Sequence, residues 1–332
     1  MIRADRSTVL TVCGLVGVLI GGCANNQSVL SPQGPASAQI AVLTWVLFAF
    51  GTVVLFIVLT AAWLAIYGSA RIRQRLSGSA AVIAGGIAFP AITLTALLAY
   101  GIWLTHANTA GLRAAGAMSI EIVGEQWWWR IYYIHNGQRV SAANELRIPA
   151  GRPVVFDLKT ADVIHSFWVP NLGGKVDMIP GRTIQLALQA DRPGIFRGQC
   201  AEYCGGPHAL MAFEVVALQP QDFDVWLAGQ GAVAVEPAGA QAQRGKDLFL
   251  RGGCGACHAV RGTEARGEVG PDLTHVASRR SVGIDTLPLT VDNLKRFISD
   301  GQHIKPGNRM PQFRIFNSDD LEAVAVYLSE LR

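Results

Sequence analysis

Two short stretches hold most of the residues that could bind a metal. The first is "CAEYCGGPHALM", Cys200 to Met211, with two cysteines, a histidine and a methionine. Two thiolates beside imidazole and thioether donors favour copper over a hard cation. A disulfide would close only a tiny loop and leave His208 and Met211 without a role. Zinc prefers Cys and His in a closed tetrahedral site and has little use for Met211. A single-copper site needs one Cys, one His and one Met near a distant His, and this loop carries an extra Cys. A distant His is available at His165, in "VIHSFWVP". The second stretch is "CGACH", Cys254 to His258. C-x-x-C-H sets Cys254 and Cys257 on one turn, ready for thioether bonds to haem, and aims His258 at the iron. A redox dithiol would expect a βαβ context that is absent, and zinc would need a second ligand pair, yet no cysteine follows Cys257.

The sixth position of such an iron needs a soft or nitrogen donor further along. Met310, in "GNRMPQF", is the only methionine after the motif. A thioether there raises the haem potential and suits an electron carrier. His275 and His303 are rivals. "RMPQF" resembles the methionine loop of class I cytochromes c, and that resemblance ranks Met310 first.

Elements must position these residues, and the chain is long enough for two or three domains. Half of its 332 residues are hydrophobic and 16% are charged, a composition that points to membrane segments. Net charge is +4, and Arg71, Arg73 and Arg75 crowd one loop. No basic patch with interleaved aromatics is present, so a nucleic-acid partner is not expected. Residues 1–22 have the parts of a signal peptide: Arg3 and Arg6, the apolar run Val9 to Ile20, and small residues before Cys23. "IGGC" resembles a bacterial lipoprotein signal and implies a lipidated Cys23. Residues 23–39 are polar and read as a flexible lead-in. Residues 40–67 and 80–106 carry no charge, and each exceeds the ~20 residues needed to cross a bilayer. Pro90 interrupts the second. The arginines of loop 68–79 place it in the cytoplasm and both flanks outside. The expectation is a two-helix transmembrane hairpin in a bacterial inner membrane, with the bulk of the chain in the periplasm.

From residue 117 the pattern changes to short β-branched and aromatic runs broken by Gly and Pro, which predicts an all-β sandwich or barrel over 117–228, closed by the helix "PQDFDVWLAG". Residues 229–240 are small and suit a linker. Residues 241–332 read as helices, with Asn317 and Ser318 offering an N-cap to the last. A bound prosthetic group would help fill so small a core.

Taken with the hairpin, "GEQWWWR" and "HSFWVPNLGGKVDMIPGR", the pattern His165, Cys200, Glu202, Cys204, His208, Met211 resembles cytochrome c oxidase subunit II. The C-terminal domain resembles the subclass that carries a fused class I cytochrome c. The resemblance covers roughly residues 40–220 and, with the haem domain, almost the whole mature chain. It implies a Greek-key, cupredoxin-like domain holding the binuclear copper centre, CuA. There Cys200 and Cys204 bridge two copper ions, His165 and His208 bind one each, Met211 is a weak ligand and the Glu202 carbonyl is another. The Glu202 side chain faces a magnesium site shared with subunit I. Trp127 matches the residue through which electrons enter, whereas Trp128 and Trp129 are read as strand packing and interfacial anchoring. Asp177 and Arg182 lie in the segment facing subunit I.

The implied function is an electron relay. A periplasmic donor such as cytochrome c reduces the covalent haem c, CuA follows, and subunit I reduces oxygen to water with proton translocation, with subunit III a further partner. Two departures stand out. Glu125 occupies a position where many members have His, and Ile83 one where many have a glutamate at a proton-channel mouth. Other readings are a membrane-tethered electron carrier, a copper-handling module, and a quinol-oxidase subunit II, which should lack the copper ligands. Nitrous oxide reductase also uses CuA but lacks this hairpin and haem domain.

Overall fold

The computed structural model describes residues 25–109, 118–135 and 137–332. The expected signal peptide, residues 1–22, and Cys23 lie outside the described residues. Helix α1, Pro35–Tyr67, and the run Ser79–Ala107 are long and apolar enough to cross a membrane, with mean hydropathies of 2.7 and 2.1. Their side chains are almost all exposed, as expected of surfaces whose solvent is lipid or another subunit. Between them the arginine loop forms a short helix, α2, Ala70–Leu76. The second run is α3, Ser79–Ile83, a π-helical turn Ala84–Ala88, and α4, Phe89–Thr109. The π turn falls just before Pro90, whose ring and missing N–H forbid a regular α-helical bond there. Ile83 sits exposed at the end of α3. Both helices begin earlier than the hydropathy runs suggest.

The lead-in is not free. Asn171, 1% exposed, donates from Nδ2 to the carbonyls of Asn25, Ser28 and Ser31, and its own carbonyl accepts from Gln33 N and Ser37 Oγ. Gly34 runs so close to the β-domain that a Cβ there would lie 2.1 Å from the Gln189 carbonyl. Residues 25–34 therefore form a strap, because a polar segment whose backbone carbonyls and amides find partners can be bound by hydrogen bonds alone.

Among the described residues, ten strands of the β-domain form two five-stranded sheets. They are β1 Met118–Glu125, β2 Trp128–His135, β3 Gln138–Ala143, β4 Glu145–Pro149, β5 Val154–Thr160, β6 His165–Trp168, β7 Val176–Met178, β8 Ile184–Leu188, β9 Gly194–Cys200 and β10 Ala212–Leu218. Sheet orders are β3-β2-β1-β5-β8 and β4-β10-β9-β6-β7. Alternation sets the faces: Ile120 and Ile122 of β1, and Trp129, Ile131 and Tyr133 of β2, point inward. Trp129, Phe156, Phe167 and Phe213 fill the space between the sheets. Trp129 meets Phe213 at 5.0 Å and Phe167 edge-on at 5.8 Å, which bears out its reading as strand packing, while its burial leaves it no part in interfacial anchoring. Helix α5, Pro220–Gln230, closes one end.

The presumed linker is also held. Ala234 N donates to the Arg261 carbonyl, and Arg261 reaches back to Gln230. The last domain packs α6, Ala240–Arg251, across α8, Ser318–Glu330, with α7, Val291–Ile304, alongside. A Cβ on Gly245 would fall 1.9 Å from the Ala323 carbonyl, so only glycine allows this crossing. Asn317 caps α8 by accepting from Asp320 N at 2.9 Å.

Candidate metal centres and the surface between them

His165 opens β6 and Cys200 ends β9, and the two strands are paired, with Phe167 opposite Cys200. The chain then turns back through Cys204 and the 3-10 turn His208–Leu210 before β10 begins. Five donor side chains converge. Cys200 Sγ lies 3.8 Å from Cys204 Sγ and 3.8 Å from His165 Nδ1. Cys204 Sγ lies 3.5 Å from His208 Nδ1 and 3.8 Å from Met211 Sδ. The Glu202 carbonyl stands 3.2 Å from Cys200 Sγ. Ligands held about 2.0–2.3 Å from a shared ion are about 3.5 Å apart, so these spacings fit metal sharing. Cys200, Cys204 and Met211 are buried, and His165 and Met211 are 0% exposed. Two thiolates, two imidazoles, a thioether and a carbonyl form a soft set that suits copper.

The electrostatics set the two thiols apart. The bond Cys200 shares with Cys204 holds its thiol far below the ordinary value, while the same bond and burial push Cys204 up. The first thiolate forms readily, and a cation is needed for the second. Burial opposes charge on His165, but Cys200 and Asp162 outweigh it and raise its pKa.

Asp162 was not singled out from the sequence. Its carboxylate takes His165 Nε2 at 2.9 Å, Gln126 N at 2.7 Å and Val163 N at 2.8 Å. With Nε2 so engaged, Nδ1 faces the sulfurs. The carboxylate three residues before the histidine, in "DVIH", was the available signal.

In the C-terminal domain, Cys254 lies on a 3-10 turn, Cys254–Ala256, just ahead of Cys257, and neither cysteine is in a disulfide. His258 Nδ1 pairs with the Pro271 carbonyl at 2.7 Å, which frees Nε2 for a metal. Burial lowers the His258 pKa and favours the neutral, ligating ring. A Cβ on Gly270 would sit 2.5 Å from His258 Cε1, so glycine there leaves the ring its space. Burial also holds the Arg279 guanidinium below its usual value, and its partner is the carbonyl of Asp272. Met310 packs on this domain's core and its amide donates to Asn308 Oδ1. Of its rivals, His275 pairs through Nε2 with the Ala232 carbonyl, and His303 is exposed.

A family model described as cytochrome c oxidase subunit II, periplasmic domain, matches residues 135–218, and one described as cytochrome c matches 242–332. Cytochrome c oxidase subunit 2 of Alkalihalophilus pseudofirmus is 34% identical over 327 residues, which is 95% of this chain and 94% of that relative. The chain belongs to the cytochrome c oxidase subunit II family. The Bacillus subtilis cytochrome c oxidase subunit 2 is 30% identical over 232 residues, 67% of this chain and 64% of the relative. The solved periplasmic domain of subunit II of cytochrome oxidase from Bradyrhizobium japonicum is 30% identical and covers 34% of this chain and 93% of that one, with a TM-score of 0.33.

The cupredoxin-like β-domain and the cytochrome c domain of this subunit II chain touch on the copper-loop side. The Trp127 indole donates to the Cys204 carbonyl at 3.0 Å, and Gln126 Nε2 joins it at 2.8 Å. Gly205 has φ +112, and a Cβ there would meet the Trp127 ring at 3.0 Å. From the cytochrome c domain, Lys305 reaches the carbonyls of Trp127 and Leu210, and Arg309 reaches Gln126 Oε1. Burial pushes Lys305 down to about 7, with Cys204 acting in the opposite direction. Glu125 bonds Arg130, whose guanidinium also reaches the Glu268 carbonyl across the interface. Trp128 lies under Arg130 at 4.6 Å. Ion pairs Arg280–Glu214 and Arg197–Asp285 add to the rim. The Glu202 side chain is exposed and 3.8 Å from Lys175, which also lies 3.7 Å from Asp177; Arg182 is exposed.

Proposed function

We propose that this chain is the electron-entry subunit of a haem-copper oxidase, anchored by a two-helix membrane hairpin with both folded domains in the periplasm. Cys200 and Cys204 would bridge two copper ions, with His165, His208, Met211 and the Glu202 carbonyl completing the set. Cys254 and Cys257 would carry one haem, with His258 and Met310 on its iron. When bound, these groups supply one-electron carriers, and the chain would pass electrons from cytochrome c or another periplasmic donor toward subunit I. The residues supply rigidity. Burial of Cys200, Cys204 and Met211 keeps water from the sulfurs, and the Asp162 bond fixes one imidazole. Donors that move little between redox states make electron exchange easy. The indole of Trp127 is bonded to the Cys204 carbonyl, and the backbone carbonyl of the same residue accepts from Lys305 of the cytochrome c domain, which supports Trp127 as the point of electron entry. Glu202, exposed beside Lys175, remains available for a magnesium ion shared with subunit I.

The observation that carries this reading is the convergence of Cys200, Cys204, His165, His208 and Met211 at 3.5–3.8 Å. The test is a metal count on the full chain produced with copper and the haem-attachment machinery. Two coppers, one covalent haem and a near-infrared CuA band are expected. Cys204→Ser should lose that band and keep a reducible haem. One copper or none in the parent chain would overturn the reading.

A further inference from the structure

Lys305 belongs to the cytochrome c domain, on the segment between α7 and Met310, yet it is only 2% exposed. Among the described residues no carboxylate bonds it. Its Nζ donates to the Trp127 carbonyl at 2.6 Å and to the Leu210 carbonyl at 3.2 Å, both in the β-domain. Burying an amine in this way is costly, and a site that only needed filling would take Leu or Met. The two carbonyls are not arbitrary. Trp127 donates to the Cys204 carbonyl, and Leu210 precedes Met211. On the other side, Asn308 Nδ2 donates to the Lys305 carbonyl at 2.8 Å and Asn308 Oδ1 accepts from Met310 N at 2.9 Å. Lys305 thus links two loops of the copper site to the loop that bears Met310.

The geometry points to Lys305 as a positioning residue, which clamps the Met310 loop onto the Trp127–Cys204 edge and sets the distance an electron crosses between the domains. This rests on the electron-relay reading above. Arg130, 13% exposed, also crosses the interface, but it reaches the Glu268 carbonyl and not the Met310 loop. The other rim contacts are weaker candidates for the task. Side chains of Arg309, Arg280 and Arg197 are 63%, 51% and 35% exposed, so water and salt compete for them. Lys305 is shielded from both. An amine keeps at least two N–H donors in either protonation state, enough for its two acceptors. The step so positioned moves one electron: ferrous haem iron becomes ferric and the copper pair is reduced by one electron, with no bond made or broken.

The test uses the full chain loaded with copper and haem, comparing the parent with Lys305→Met and with Lys305→Gln, which stays polar but is too short for both carbonyls. After flash reduction of the haem, its equilibration with copper should slow at least tenfold in both variants. Amide hydrogen exchange at Trp127–Trp129 and at Leu210–Ala212 should quicken at least tenfold. Copper and haem absorption bands and the haem potential should match the parent, showing that both centres are intact. Transfer and exchange at parental rates would overturn the positioning role while leaving the relay standing. Absence of the copper band from the parent itself would instead remove the relay reading.

Discussion

Replacing Asp162 with alanine should weaken copper binding without unfolding the β-domain. The carboxylate accepts from the His165 ring and from the amides of Gln126 and Val163, at 2.9, 2.7 and 2.8 Å. The Asp162 side chain is 20% exposed, so water can replace part of what the amides lose. It cannot replace what His165 loses, because that ring is 0% exposed. A hydrogen bond to a charged group contributes about 1.5–3 kcal/mol. Loss of that one bond therefore predicts copper binding weaker by about ten- to a hundredfold, the range typical for removing the outer partner of a ligating histidine. Burial raises the Asp162 pKa, but its bonds to Gln126, His165 and Val163 outweigh this and lower it. The carboxylate is thus ionised throughout the neutral range. The assay is copper withdrawal from the full chain by a competing chelator, followed at the copper absorption with the haem band as internal control. Asp162→Asn keeps an acceptor for the amides and should fall between. Copper affinity in Asp162→Ala within about twofold of the parent would refute the argument and assign the placement of His165 to packing against Trp129, 6.2 Å away.

Met310→Ala should lower the haem potential, since loss of a thioether ligand disfavours the ferrous state; an unchanged potential in a redox titration would mean that Met310 is not the axial ligand. Gly245→Ala must push α6 off α8, because its Cβ would lie 1.9 Å from the Ala323 carbonyl. Overpacking of this kind costs about 1–3 kcal/mol, so thermal unfolding of the cytochrome c domain should begin several degrees lower, and an unchanged Tm would count against the close crossing. Asn171→Ala leaves the carbonyls of Asn25, Ser28 and Ser31 without their common donor. The strap should then exchange its amide hydrogens faster and be cut sooner by protease, and parental protection would refute its dependence on Asn171.

The candidate ligands of both centres were legible in the sequence because they depend on residue type and short spacing. Cys200, Cys204, His208 and Met211 share one loop, and Cys254, Cys257 and His258 share one turn, so their grouping needs no knowledge of the fold. The two charge-free runs and the alternating strands were legible for a similar reason, since hydropathy and period two are local properties. Even the single distant candidate ligand, His165, came from a recognisable segment. What the sequence could not supply was the partner of each polar group. Asn171, Asp162 and Lys305 look like ordinary surface residues in a row of letters. The bonds of Asn171 and the clamp of Lys305 span more than 90 positions, and Asp162, close to His165, also takes the distant Gln126 amide. The strap and the linker read as free polar chain because binding through backbone hydrogen bonds leaves no mark on side-chain pattern. Which of His275, His303 and Met310 lies toward the haem-domain core was likewise open until packing turned His275 to Ala232 and left His303 exposed. Ligand identity is thus a property of local covalent spacing, while the second layer around each ligand and the seat of one domain on the other arise only when the folded chain brings distant donors and acceptors together.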